Sequence, residues 1–110
     1  MPKYLFEATY SAEGLTGLVA DGAAKRQRDV KTAFKSLGGK VETFYLSFGN
    51  ADAIVIADLP DNASAAAASI MATSAGTARV RTTPLLTMAE ADAAIAKLAE
   101  AKYRPPGGGD

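Results

Sequence analysis

The chain has 110 residues, the length of a single domain, and its twelve basic and twelve acidic side chains cancel. No net charge draws it toward nucleic acid or a membrane surface, so neither is expected as a partner. It has no Cys and no His, which excludes disulfides, thiol nucleophiles, Ser-His triads, His-ligated haem and the usual thiolate or imidazole metal sites. No cofactor is expected. Met1-Pro2-Lys3-Tyr4 lacks the form of a secretion signal, and no apolar stretch approaches the ~20 residues of a membrane span, so a cytoplasmic protein is expected.

The segment Lys3–Tyr10 alternates: Tyr4, Phe6, Ala8 and Tyr10 share one face, and Lys3, Leu5, Glu7 and Thr9 the other. A period of two predicts a half-buried strand. Ser11 is an N-cap candidate for a helix carrying Leu15, Leu18 and Val19, with Glu13 near its start. Asp21-Gly22 interrupts that helix, and it resumes from Ala24 to Leu37 with Val30, Phe34 and Leu37 on one stripe. Gly38-Gly39 ends it. A second strand is predicted over Lys40–Phe48, a two-residue hairpin turn at Gly49-Asn50, and a third strand over Ala51–Leu59. The AIVIA run of that strand is apolar on both faces, which suits a central position.

Asp61 or Asn62 then caps a helix over Ala63–Ala75, whose many alanines give a narrow surface that can approach a sheet closely. A fourth, β-branched strand is expected over Thr77–Thr83, with Pro84 ending its pairing. Thr87-x-x-Glu90 is a capping box, opening a last helix over Met88–Lys102 with Met88, Ala91, Ile95, Leu98 and Lys102 on one stripe. Residues 1–103 form the domain, and residues 104–110, rich in Pro and Gly, form a tail without helix or strand signal.

The order βαββαβ plus a helix is that of an α+β, ferredoxin-like fold with an antiparallel sheet. Its two main helices cover one sheet face. The other face lacks such a cover, and a second copy of the chain is its natural partner.

Several stretches, each unspecific alone, together resemble the GYD-domain family over about residues 2–90: Tyr10-Ser11-Ala12-Glu13-Gly14, Gly17-Leu18, Lys25-Arg26, Leu37-Gly38-Gly39-Lys40, Phe44-Tyr45, Phe48-Gly49, Asp58-Leu59-Pro60-Asp61 and Arg79 through Thr87. The resemblance implies the dimeric α+β barrel form of the fold and no established activity. The sequence departs from the family at Gly49-Asn50-Ala51-Asp52, where Asp52 is kept and the aromatic residue expected before it is absent.

Six residues are candidates for a ligand site: Glu7, Lys25, Arg26, Asp52, Arg79 and Arg81. Arg79 and Arg81 share a strand face, and the first and fourth strands are neighbours in this fold. Glu7 then faces one arginine, either as a structural cross-strand pair or as part of a site for a small anion. Asp52 beside the hairpin is either a carboxylate base or, the more ordinary role, an acceptor for local backbone N–H groups. Lys25-Arg26-x-Arg28 is either a solvated helix face or a phosphate contact, without the Gly-rich loop of a nucleotide site. Tyr4, Tyr10, Tyr45, Phe6, Phe44 and Phe48 are expected to fill a core otherwise built from 24 alanines.

Two functions fit. One is a homo-oligomeric module, a dimer or larger, that binds a small molecule or a protein without catalysis. The other is a cofactor-independent enzyme acting on an organic substrate in a barrel pocket. A polar pocket holding a carboxylate of raised pKa favours the enzyme, and a small dry one favours the module.

Overall fold

The computed structural model describes residues 1–109; Asp110, the last residue of the expected tail, lies outside the described residues. Four strands, β1 (Lys3–Tyr10), β2 (Lys40–Leu46), β3 (Ala53–Asp58) and β4 (Ala78–Leu85), form one sheet in the order β2-β3-β1-β4. Every neighbouring pair is antiparallel. Between β1 and β2 lie α1 (Ala12–Asp21) and α2 (Ala23–Ser36), separated at Gly22, whose φ of +86° no L side chain adopts readily. After β3 comes α3 (Asn62–Ser74), and after β4 comes α4 (Met88–Ala96), continued by a short 3₁₀ turn over Lys97–Ala99. The architecture is α+β and ferredoxin-like. No helix among the described residues is long and apolar enough to cross a membrane.

The alternation in β1 carries straight into the packing. Tyr4 and Phe6 are buried toward the helices, opposite Ala57 and Val55 of β3. Phe34 of α2 meets Phe6 edge-on, ring centroids 4.9 Å apart, with Val30 and Leu37 beside the same cluster. From the other side α3 buries Ala65 and Ala68, and its methyl-lined surface lets it lie close over the sheet. The remaining face of the sheet, carrying Lys3, Leu5, Glu7, Ile54, Ile56, Arg79 and Arg81, is turned away from α2 and α3.

Four expectations are corrected. Gly49-Asn50 is not a two-residue turn, because neither residue has the positive φ such a turn needs. The strands instead separate after Leu46, and the loop is closed by the Ser47 N–H donating to the Asp52 carbonyl at 2.7 Å. Pro84 does not end pairing: it stands opposite Tyr4, and β4 runs to Leu85. As β4 is an edge strand, a proline there forfeits no ladder bond if its nitrogen faces outward.

The last helix stops at Ala96 rather than Lys102, and of α4 only Ala91 is even half-buried. Met88, Ile95 and Leu98, the apolar stripe expected to seat it, are 62–77% exposed. The radius of gyration is accordingly 17.7 Å, against about 13 Å for a compact domain of this length. Finally, Tyr45 and Phe48 are exposed rather than in the core. Tyr45 follows Phe44 on β2 and so takes the opposite face, while Phe48 falls in the loop.

An irregularity in β2 shifts its register between Val41 and Thr43, so that Glu42 is the extra residue on this edge.

Candidate functional site

On the face turned away from the helices, the register sets side chains in rows across the four strands. One row reads Tyr45, Ile54, Glu7, Arg81; the next reads Thr43, Ile56, Leu5, Thr83. Leu5, Ile54 and Ile56 are half-buried and form an apolar centre. Charged groups border it at both ends.

At one end Lys3 Nζ donates to Asp58 Oδ1 at 2.9 Å and reaches Glu42 Oε2 at 3.1 Å. The hydrogen bonds to Asp58 and then to Glu42 hold the Lys3 ammonium above its ordinary pKa. At that end every one of these charged groups has an opposite partner. The other end differs. Glu7 stands opposite Arg81, and Thr9 opposite Arg79, yet among the described residues no ion pair joins Glu7 to either arginine.

These groups line a concavity of about 410 Å³ together with Thr9, Asn50 and Ala51. One carboxylate and two guanidinium groups thus border a space, with one more cation than anion. Such a set can hold a carboxylate or phosphate, because a guanidinium fork accepts either group bidentately. Ala51 occupies the place where the family resemblance expects an aromatic residue, and its small side chain leaves this space open. Asn50 and Ala51 belong to the site only through the loop geometry, so the strand pattern gave no sign of them. Among the described residues, no cluster of carboxylates is arranged to hold a metal ion.

The other candidates lie elsewhere. Asp52 Oδ2 accepts from the Tyr10 N–H at 2.8 Å, and its own N–H donates to the Ala8 carbonyl at 2.8 Å. It fastens the loop to the end of β1, and its carboxylate serves the backbone of that strand rather than the local turn N–H groups expected. Lys25 lies 3.7 Å from Asp21 and 3.5 Å from Asp29 on the solvated side of α2. Such exposed pairs contribute little.

Arg26, its neighbour in sequence, turns the other way. Its Nε donates to the Tyr10 hydroxyl at 3.3 Å, and the guanidinium lies 5.7 Å from the centre of the Tyr10 ring. Lys25 and Arg26 therefore do not form one basic patch. Arg26 instead borders a second cavity, of about 240 Å³, between the helices and the sheet.

The fold and its open, charge-bordered sheet face define a ferredoxin-like α+β protein. The model of the GYD domain matches residues 4–95, most of the chain, and the chain belongs to that family. No curated protein and no solved structure shows significant similarity to it.

Proposed function

We propose that this chain is a homo-oligomeric binding module whose open sheet faces pair, and that the concavity of Glu7, Arg79 and Arg81 takes a small anion at the border between subunits. One observation carries it: half-buried Leu5, Ile54 and Ile56 lie on a face without α2 or α3, directly beside guanidinium groups that have no carboxylate partner among the described residues. A second copy would remove the apolar centre from water. Four strands about 4.8 Å apart and eight residues at about 3.4 Å each give roughly 500 Å² of projected face. Corrugated by side chains, that approaches the roughly 800 Å² per partner of a specific interface. The concavity, with two fixed cations and one carboxylate, suits binding of an anion rather than proton transfer.

Light scattering at micromolar concentration is expected to give a dimer or larger assembly. Ile56→Lys, placed at the apolar centre, is expected to yield a folded monomer. Arg81→Met is expected to weaken either inorganic phosphate binding, followed by amide shifts of Arg79 and Asn50, or the assembly itself, with the thermal midpoint kept. A wild-type chain that stays monomeric overturns the pairing, and phosphate shifts identical in the Arg81 variant overturn the site.

A further inference from the structure

The cavity between the helices and the sheet exists because its walls are made of methyl groups. Ala8 and Ala53 stand opposite each other on adjacent strands, with Ala78 two residues further along β4, and Ala33, Ala68 and Ala72 of the helices oppose them. Phe6, Phe34 and Phe44 close one side, and none of them reaches far enough to fill the space. The resulting 240 Å³ exceeds the roughly 150 Å³ of an engineered apolar cavity that stays dry and takes up benzene. The space is partly open to solvent, and an apolar guest removes its methyl and ring walls from water.

Its polar border is specific. Arg26 is half-buried there, held by Tyr10 through its Nε and by the face of the Tyr10 ring. The bond through Nε leaves the two terminal nitrogens to other partners, and among the described residues no carboxylate pairs with them. Asp29, which also borders the cavity, is the nearest competitor in sequence, and its carboxylate faces Lys25 at 3.5 Å. Arg26 also lies on the first turn of α2, which carries no acidic residue and no side-chain cap. The positive end of the helix dipole there favours an anion further.

We propose that this cavity binds a small amphipathic monocarboxylic acid. The hydrocarbon or single ring occupies the Ala-lined space, and the carboxylate pairs with the Arg26 guanidinium. One cation at the rim calls for one negative charge, and the methyl walls reject a second. This site is separate from the open sheet face, so neither proposal depends on the other.

The test compares hexanoate and phenylacetate with hexanol and hexylamine, by calorimetry and by methyl shifts of Ala53, Ala72 and Met71. The two acids are expected to bind more tightly than hexanol, and hexylamine least. Arg26→Gln is expected to weaken the acids about tenfold or more, the scale of a hydrogen bond to a charged group, and to leave hexanol unchanged. Ala72→Leu, which fills the space from a half-buried position of α3, is expected to abolish binding of acids and alcohol alike while circular dichroism stays native. Should Arg26→Gln fail to fold, Arg26→Lys serves, and it is expected to retain a weaker preference for acids. Equal affinity for hexanoate and hexanol overturns the proposal. So does acid binding that survives Ala72→Leu, or the absence of any shift with all four probes.

Discussion

Helices α3 and α4 are built from nearly the same material and have opposite fates. Both are rich in alanine, and both begin at a well-formed N-cap. Asp61 Oδ1 accepts from the Ser64 N–H at 2.8 Å in α3. In α4 the Thr87 hydroxyl accepts from the Glu90 N–H at 3.1 Å, while Glu90 Oε1 accepts from the Thr87 N–H at 2.9 Å. Yet α3 buries Ala65 and Ala68, and α4 buries nothing. A cap decides where a helix begins, because it satisfies N–H groups that have no partner inside the helix. Burial is decided by whether a sheet face waits at the right distance. With nine residues, α4 is shorter than the ~12–15 at which isolated helices become even marginal, so its caps are what hold it.

Substitutions can break this contrast. The largest effect is expected from Ala68→Glu, which forces a charge beneath α3 where the methyl is 3% exposed. A loss of about 3 kcal/mol or more is expected in urea unfolding, against less than about 0.5 kcal/mol for Ala93→Glu in α4. Equal losses would mean that α4 is packed in solution. A smaller gain is expected from Thr82→Val. The Thr82 hydroxyl is buried with no hydrogen-bond partner, and the cavity beside it is lined by Tyr4, Asn62 and Ala65. Replacing it with a methyl is expected to raise stability by about 1 kcal/mol, read as a higher urea midpoint.

The smallest effects sharpen the comparison through pH. Asp61 and Glu90 are both held below the ordinary carboxylate pKa by the backbone N–H each accepts, from Ser64 and Thr87 respectively. A carboxylate depressed in the folded state stabilises above its unfolded pKa, and the contribution is lost as pH falls through the depressed value. Acidification below about pH 4 is therefore expected to loosen both caps. Amide exchange is expected to show α4 opening first and alone, since no buried contact ties it to the core. Asp61→Ala is expected to lower the global thermal midpoint, whereas Thr87→Ala is expected to lower helicity and leave that midpoint in place.

Much of this was legible in the residues. The alternation of Tyr4, Phe6, Ala8 and Tyr10 gave the two faces of β1, and the element order placed β1 beside β4, so that Glu7 meets Arg81 in register. The misreadings share a cause: a local signal taken as sufficient. Gly49-Asn50 permits a tight turn without requiring one, and the Asp52 hydrogen bonds to β1 favour a wider loop. Pro84 stops a central strand but not an outer edge, and which strand is an edge is a matter of topology. The Met88-to-Lys102 stripe had helical spacing with nothing to seat on. Lys25 and Arg26 looked alike in sequence, but successive helix residues point about 100° apart, which leaves Lys25 beside Asp21 and Asp29, four residues either way, and turns Arg26 to Tyr10.

The two outer strands carry a further consequence. An exposed strand edge offers unpaired N–H and C=O groups to any other chain, the route by which sheets grow into fibrils. Here one edge strand, β4, contains Pro84, and the other, β2, is distorted at Glu42 and carries Lys40 near that distortion. Both margins are therefore poor templates for another strand. Copies of this chain are thereby steered away from stacking edge to edge without limit.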